Sequence, residues 1–181
     1  DALKRLVEEH KESPLRADAL LVLGDYHFDR NELAQAKTYY EQIVKGPLYR
    51  VSSLGQYKLA WVWVNFGECK KALDDFEDAI ERAEEWETVK AQYAQQGPVN
   101  PSDTDGLPER PNNSPVLGTQ QDIDVRRESL VDLTYCYSRE RKVKDAIPYF
   151  KRYAYNRATY VASLDRLATR YRTIDDFDGA I

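Results

Sequence analysis

The chain has 181 residues, 42% hydrophobic and 31% charged, with 13 Tyr and 3 Trp; this is the make-up of a folded domain or a short stack of repeats and excludes a disordered segment. A net charge of -5, with the densest basic stretch (Arg139–Lys144) broken by Glu140, argues against nucleic acid or an anionic lipid surface as a partner. The longest apolar runs, Ala19–Leu23 and Leu59–Val64, fall far short of the ~20 residues of a membrane span, so no direct membrane insertion is expected.

Taken in chain order, residues 1–14 read as one helix, over 2–12, stopped at Ser13-Pro14. Residues 15–50 read as a helix pair with Gly46-Pro47 as its stop, and 51–96 as a second pair. The second helix of that pair begins near Cys69 and continues to about Gln95, long enough to project beyond its neighbours; Trp86, Val89 and Tyr93 keep one face of it apolar. Residues 97–121 open with GPVNPSDTDGLPERPNNSPVLG, which is rich in Pro, Gly and Asn, has no periodicity, and reads as an inserted loop. As a solvated linker it costs little closure entropy; as an arm it would use Val99, Leu107, Val116 and Leu117 as anchors. Residues 122–158 read as a third pair, with Pro148 in the first turns of its second helix, and 159–181 as a fourth, truncated one.

The pairs share a register. Ala36, Ala72 and Ala146 are each followed four residues later by an aromatic: Tyr40, Phe76 and Phe150. Ala180 falls in the same series, and the Ala spacings are 36, 74 and 34. Thirteen residues before each Ala stands Leu23, Leu59, Leu133 or Leu167, followed by Gly24, Ala60, Thr134 or Ala168. His27, Trp63, Tyr137 and Tyr171 come three later; Leu20, Leu130 and Leu164 come earlier, with Gln56 as the departure. Columns recurring in register over four units resemble the tetratricopeptide repeat (TPR), whose 34-residue unit is two antiparallel helices. The resemblance implies an all-α fold, a right-handed superhelical solenoid of antiparallel helix pairs in which no unit buries its apolar stripe alone. Residues 1–14 then become the second helix of a preceding repeat. Both ends look like cuts through a longer array, which predicts self-association through bare end repeats.

Little in the sequence suggests catalysis. His10 and His27 are the only histidines; His27 lies between Asp25 and Asp29, but side chains two apart on a helix point away from each other, so a packing or helix-end role is expected. Asp175-Asp176-Phe177-Asp178-Gly179 has Ile174 where a calcium loop needs an oxygen ligand. No zinc spacing, nucleophile elbow or phosphate-cradling loop occurs, so no enzyme activity, metal or cofactor is expected. Cys69 and Cys136 are well separated, and Cys69 reads as a small polar residue opening a helix.

What the resemblance implies about binding can be placed residue by residue. The first helices of successive TPR units line a concave groove. Here that face is expected to carry Leu21, Asp25 and Phe28, then Tyr57, Trp61 and Val64, then Val131, Tyr135 and Arg139, and finally Asp165 and Arg172. These are largely apolar, aromatic or acidic, unlike the Lys, Arg and Asn of carboxylate-gripping TPR domains. They suit a protein or peptide segment with apolar anchors. Ser13–Leu20 leading into Leu23-Gly24 resembles a bacterial cell-envelope subgroup, periplasmic or lipid-anchored TPR proteins of outer-membrane assembly and the Tol-Pal system. The expected function is a non-catalytic interaction scaffold in an envelope assembly. The alternatives are a cytoplasmic peptide-binding regulator and a non-catalytic arm of a larger enzyme.

Overall fold

A computed structural model describes residues 2–95 and 123–174. Val99, Leu107, Val116 and Leu117, the acidic stretch at 175–179 and Ala180 lie outside those residues. The described elements are all helical: α1 (Ala2–Glu9), α2 (Arg16–Asp29), α3 (Leu33–Val44), α4 (Ser52–Asn65), α5 (Cys69–Gln95), α6 (Val125–Asp132), α7 (Thr134–Glu140), α8 (Ala146–Tyr153) and α9 (Arg157–Thr173). Each helix as far as α7 packs on the next, α8 packs on α9, and α7 meets α8 through the rings of Tyr137, Tyr149 and Phe150. The first helices of successive hairpins also touch, α2 on α4, α4 on α6, and α6 and α7 on α9. That is a helical solenoid of stacked hairpins.

The repeated columns form the core. Leu23, Leu59, Leu133 and Leu167 are buried, and so are the Ala–aromatic pairs Ala36/Tyr40, Ala72/Phe76 and Ala146/Phe150. They fall into two apolar clusters. The first is built on α1 to α4 with Ala79 and Val125, and the second runs from Ala60 and α5 through α9. Tyr57 packs against both and joins them.

Gly24, the small residue after Leu23, admits a side chain of the second helix. A Cβ on Gly24 would stand 2.4 Å from Cε1 of Tyr40. That ring cannot swing aside, because it is fully buried and its hydroxyl donates to Asp25 Oδ1 at 2.7 Å. Helix propensity favours Ala over Gly by ~1 kcal/mol, whereas overpacking a core costs about 1–3 kcal/mol, so the steric effect wins. Gly24→Ala is therefore expected to destabilise the fold by about 1–2 kcal/mol, read as a lower urea midpoint; a raised midpoint would show that Tyr40 can move.

The first two units turn alike. Asn31 (φ 59) and Gly67 (φ 76) sit in the left-handed region. In each case the following amide closes back on the helix, Glu32 N to His27 O at 2.8 Å and Glu68 N to Trp63 O at 2.9 Å. This is the helix-ending pair that a left-handed residue makes possible. The third unit differs, since Arg141 is extended and a short 3-10 turn over Val143–Asp145 leads into α8, where Pro148 is the third residue. Its first helix is also broken at Leu133 into α6 and α7, with the Thr134 hydroxyl donating to Val131 O at 2.6 Å. At the other end α1 stops at Glu9, short of Pro14, because no apolar residue follows Val7 until Leu15 to hold a further turn on the core.

Polar contacts join the units across the stack. Glu77 of α5 accepts from the hydroxyls of Tyr149 (2.8 Å) and Tyr153 (2.9 Å) on α8, and Arg16 reaches Val7 O and Gln42. Burial beside that carboxylate pushes the Tyr153 phenol up to about 12. Cys69 and Cys136 are bonded to each other, with Cα atoms 4.9 Å apart, so Cys69 is a staple between α5 and α7 and not a polar turn residue.

Asp75 of α5 accepts from Gln56 Nε2 at 2.7 Å, and its Oδ2 is buried without a hydrogen-bond partner among the described residues. Burial pushes this carboxyl up to about 6. The folded state then binds the proton more tightly than the unfolded chain. Stability falls as pH rises from the ordinary carboxylate range through about 6, and the penalty is complete above it. Asp75→Asn keeps the acceptor for Gln56. It is expected to raise stability at pH 7.5 by about 1–2 kcal/mol and to flatten that part of the profile, checked by urea midpoints at pH 4.5 and 7.5.

Candidate functional site

The expected groove residues divide sharply once placed. Leu21 is 1% exposed, inside the first cluster to which α1 adds Leu3, Leu6 and Val7, so its side chain does not line a surface. Phe28 is partly buried against the same cluster. Asp25 is a strut: it takes the Tyr40 hydroxyl, and Lys58 Nζ of α4 lies 3.2 Å from its Oδ1. His27 stacks on Tyr39 (ring centroids 5.4 Å) and its Nδ1 lies 2.5 Å from Glu32 Oε2; no group of three or more His, Cys, Asp or Glu side chains that could hold a metal occurs among the described residues.

The centre of the face is aromatic. Tyr57, Trp61 and Val64 of α4 are half-buried, with one side against the second cluster. Phe76 of α5 backs both rings, 5.8 Å from Tyr57 and 6.0 Å from Trp61, edge-on to the latter. The Tyr57 hydroxyl donates to Asp132 Oδ2 at 2.7 Å, crossing from α4 to α6. Burial raises the Asp132 carboxyl above its ordinary value, while hydrogen bonds from Tyr57 and Trp61 and the charge of Arg166 pull it back. The row is thus held by a shared carboxylate that also ties two units.

The C-terminal part of the face is cationic. Tyr135, half-buried on α7, has the Arg139 guanidinium 3.8 Å from its ring centroid and that of Arg170, on α9, at 5.3 Å. Val131 is half-buried, and its carbonyl is taken by Thr134. Asp165 and Arg172 are exposed on α9, where Arg172 bonds Thr169 of its own helix, and no contact among the described residues brings either to the aromatic row. Sequence reasoning missed Asp132, Lys58, Phe76 and Arg170. Periodicity marks the face of one helix, whereas these residues matter through what they touch on another.

On the long helix, Trp86 is buried, Glu84 pairs with Arg126 of α6, and Val89 is half-buried. The Tyr93 side chain lies outside the described residues. No helix among those residues is long and apolar enough to cross a membrane.

Residues 18–45 match the family model described as a tetratricopeptide repeat, which spans α2 and α3. No curated protein matches the chain. Among solved structures the chain is similar to the crystal structure of YrrB, described as a TPR protein with an unusual peptide-binding site. The match covers 100% of this chain and 88% of that one, at 16% identity and a TM-score of 0.39, too loose a likeness to carry residues or ligands across.

Proposed function

We propose that this chain is a protein-interaction scaffold that holds a partner segment along the first helices of its hairpins, with Tyr57, Trp61 and Tyr135 as the central contacts. The observation that carries the reading is the state of Trp61. It is a large aromatic left partly exposed, buttressed by Phe76 and set beside a carboxylate that fixes its neighbour. Rigid, partly wet aromatics of this kind are what binding hot spots are made from. Phe28, Val64, Val131 and Arg139 flank them, with Asp25, Asp165 and Arg172 at the margins; Leu21 serves the core. The six-part division at 1–14, 15–50, 51–96, 97–121, 122–158 and 159–181 is retained as the organisation of the array.

The setting we favour is the bacterial cell envelope, outside the cytoplasm. The Cys69–Cys136 bond supports it, because such bonds persist in oxidising compartments and are rare where thiols are kept reduced. The test is a peptide-display selection against the immobilised chain followed by NMR. Selected peptides should shift the Trp61 indole and the ring signals of Tyr57 and Tyr135. Peptides that bind but shift only the α3, α5 and α8 faces would overturn the assignment.

A further inference from the structure

We propose that Tyr135, Arg139 and Arg170 form a receptor for carboxylate side chains, so that the segment held in the groove is acidic where it crosses α7 and α9. The inference rests on the groove reading above and adds the chemistry of the partner.

Other rings of the chain also carry cations. Arg30 lies over Tyr26, Arg126 over Tyr155, and Lys37 and Lys71 both over Trp63. Each of these cations also pairs with a carboxylate, namely Glu32, Glu84, Glu41 and Glu68 respectively. Arg152 over Tyr153 has no such pair among the described residues, but it is a lone cation on its ring. Tyr135 is the exception among the described residues: two guanidiniums share its ring, and neither makes an ion pair with any described carboxylate.

The donors there are underused. Arg139 spends one N–H on the Tyr135 carbonyl, Nη1 to O at 3.0 Å. Arg170 Nε is buried and has no hydrogen-bond partner among the described residues. A guanidinium offers five donors in a fixed fork that fits a carboxylate with two parallel bonds. Two like charges from different helices on one ring repel each other, and an anion between them removes the repulsion and satisfies the spare donors together. The chain as a whole is acidic, at -5, so this is a local arrangement and not a general basicity. The lack of a basic stripe is also why an acidic polypeptide is favoured here over a nucleic acid.

The experiment uses three synthetic 15-residue peptides that share Leu and Phe anchors and carry Glu, Gln or Lys at the intervening positions, with a 20-nucleotide single strand as a fourth probe. Binding is followed by fluorescence anisotropy. The Glu peptide is expected to bind about tenfold more tightly than the Gln peptide, and the Lys peptide least tightly. Arg139→Gln with Arg170→Gln should abolish the difference, 0.5 M salt should shrink it, and the paired Lys substitutions should retain part of it. Should the double variant lose helix content, Arg139→Gln alone, at an exposed position, carries the test. Equal, Trp61-dependent affinity for the Glu and Gln peptides would overturn this inference and leave the groove standing. Failure of all three peptides to bind would overturn both. Arginine-dependent retention of the oligonucleotide above the Glu peptide would replace an acidic protein with a nucleic acid.

Discussion

Replacing Cys69 and Cys136 by Ala, or reducing the bond between them, is expected to lower the unfolding free energy by about 4 kcal/mol. The bond closes a loop with a sequence separation of 67 residues, and tying such a loop removes freedom from the unfolded chain worth about 4 kcal/mol in the chain-entropy treatment. The native state adds to the effect, because both sulfurs are buried in the second cluster, where the bond joins α5 to α7 beside Leu73 and Leu133. A loss of this size is a large fraction of the ~5–15 kcal/mol by which a domain is stable. It should appear in urea titrations with and without reductant as a shift of more than 1 M in the midpoint. Two titratable thiols in the folded, unreduced protein, or coincident midpoints, would show that the staple is not formed.

The second large effect is on binding. Trp61→Ala is expected to weaken a groove-selected peptide by about thirtyfold or more while helix content is preserved, since truncating a central aromatic anchor costs at least ~2 kcal/mol. Trp61 also packs edge-on against Phe76, so the variant loses some stability, and binding must be read well below its unfolding midpoint. Tyr57→Phe separates the two effects. It keeps the ring on Phe76 and removes the hydroxyl that Asp132 accepts, leaving a half-buried carboxylate short of a donor at a cost of about 1–3 kcal/mol in stability. Isothermal titration on both variants is decisive: the Trp variant should lose affinity out of proportion to stability, and the Tyr variant the reverse. Unaltered affinity in Trp61→Ala would remove Trp61 from the binding face.

The parts of the fold that could be read from the sequence are those that recur. Leu59 and Leu133 hold the same column and both are buried, Leu59 in the first cluster and Leu133 in the second, and the columns carry that burial directly. What could not be read is specific to one junction. Cys136 stands three residues after Leu133, the place that Val62 fills beside Leu59, and both are fully buried. That register could have marked Cys136 as facing the preceding helix, yet only three-dimensional packing shows Cys69 opposite it. Asp132 escaped notice for a similar reason, since its importance comes from a tyrosine 75 residues away. Leu21 has the helix position that Tyr57 and Val131 occupy in later units, but it is buried in the first cluster whereas they are half-buried, and periodicity alone does not separate the two cases. The break at Leu133 reflects a hydroxyl bonding three residues back, which apolar periodicity does not register.

The staple also changes what a cut to the chain can do. Cys69 and Cys136 bracket every residue from 70 to 135, so hydrolysis of a single peptide bond anywhere in that interval leaves one covalent molecule with two new termini. Continuity between the first hairpins and the last therefore runs along two routes, backbone and sulfur, and proteolysis of the first alone separates nothing.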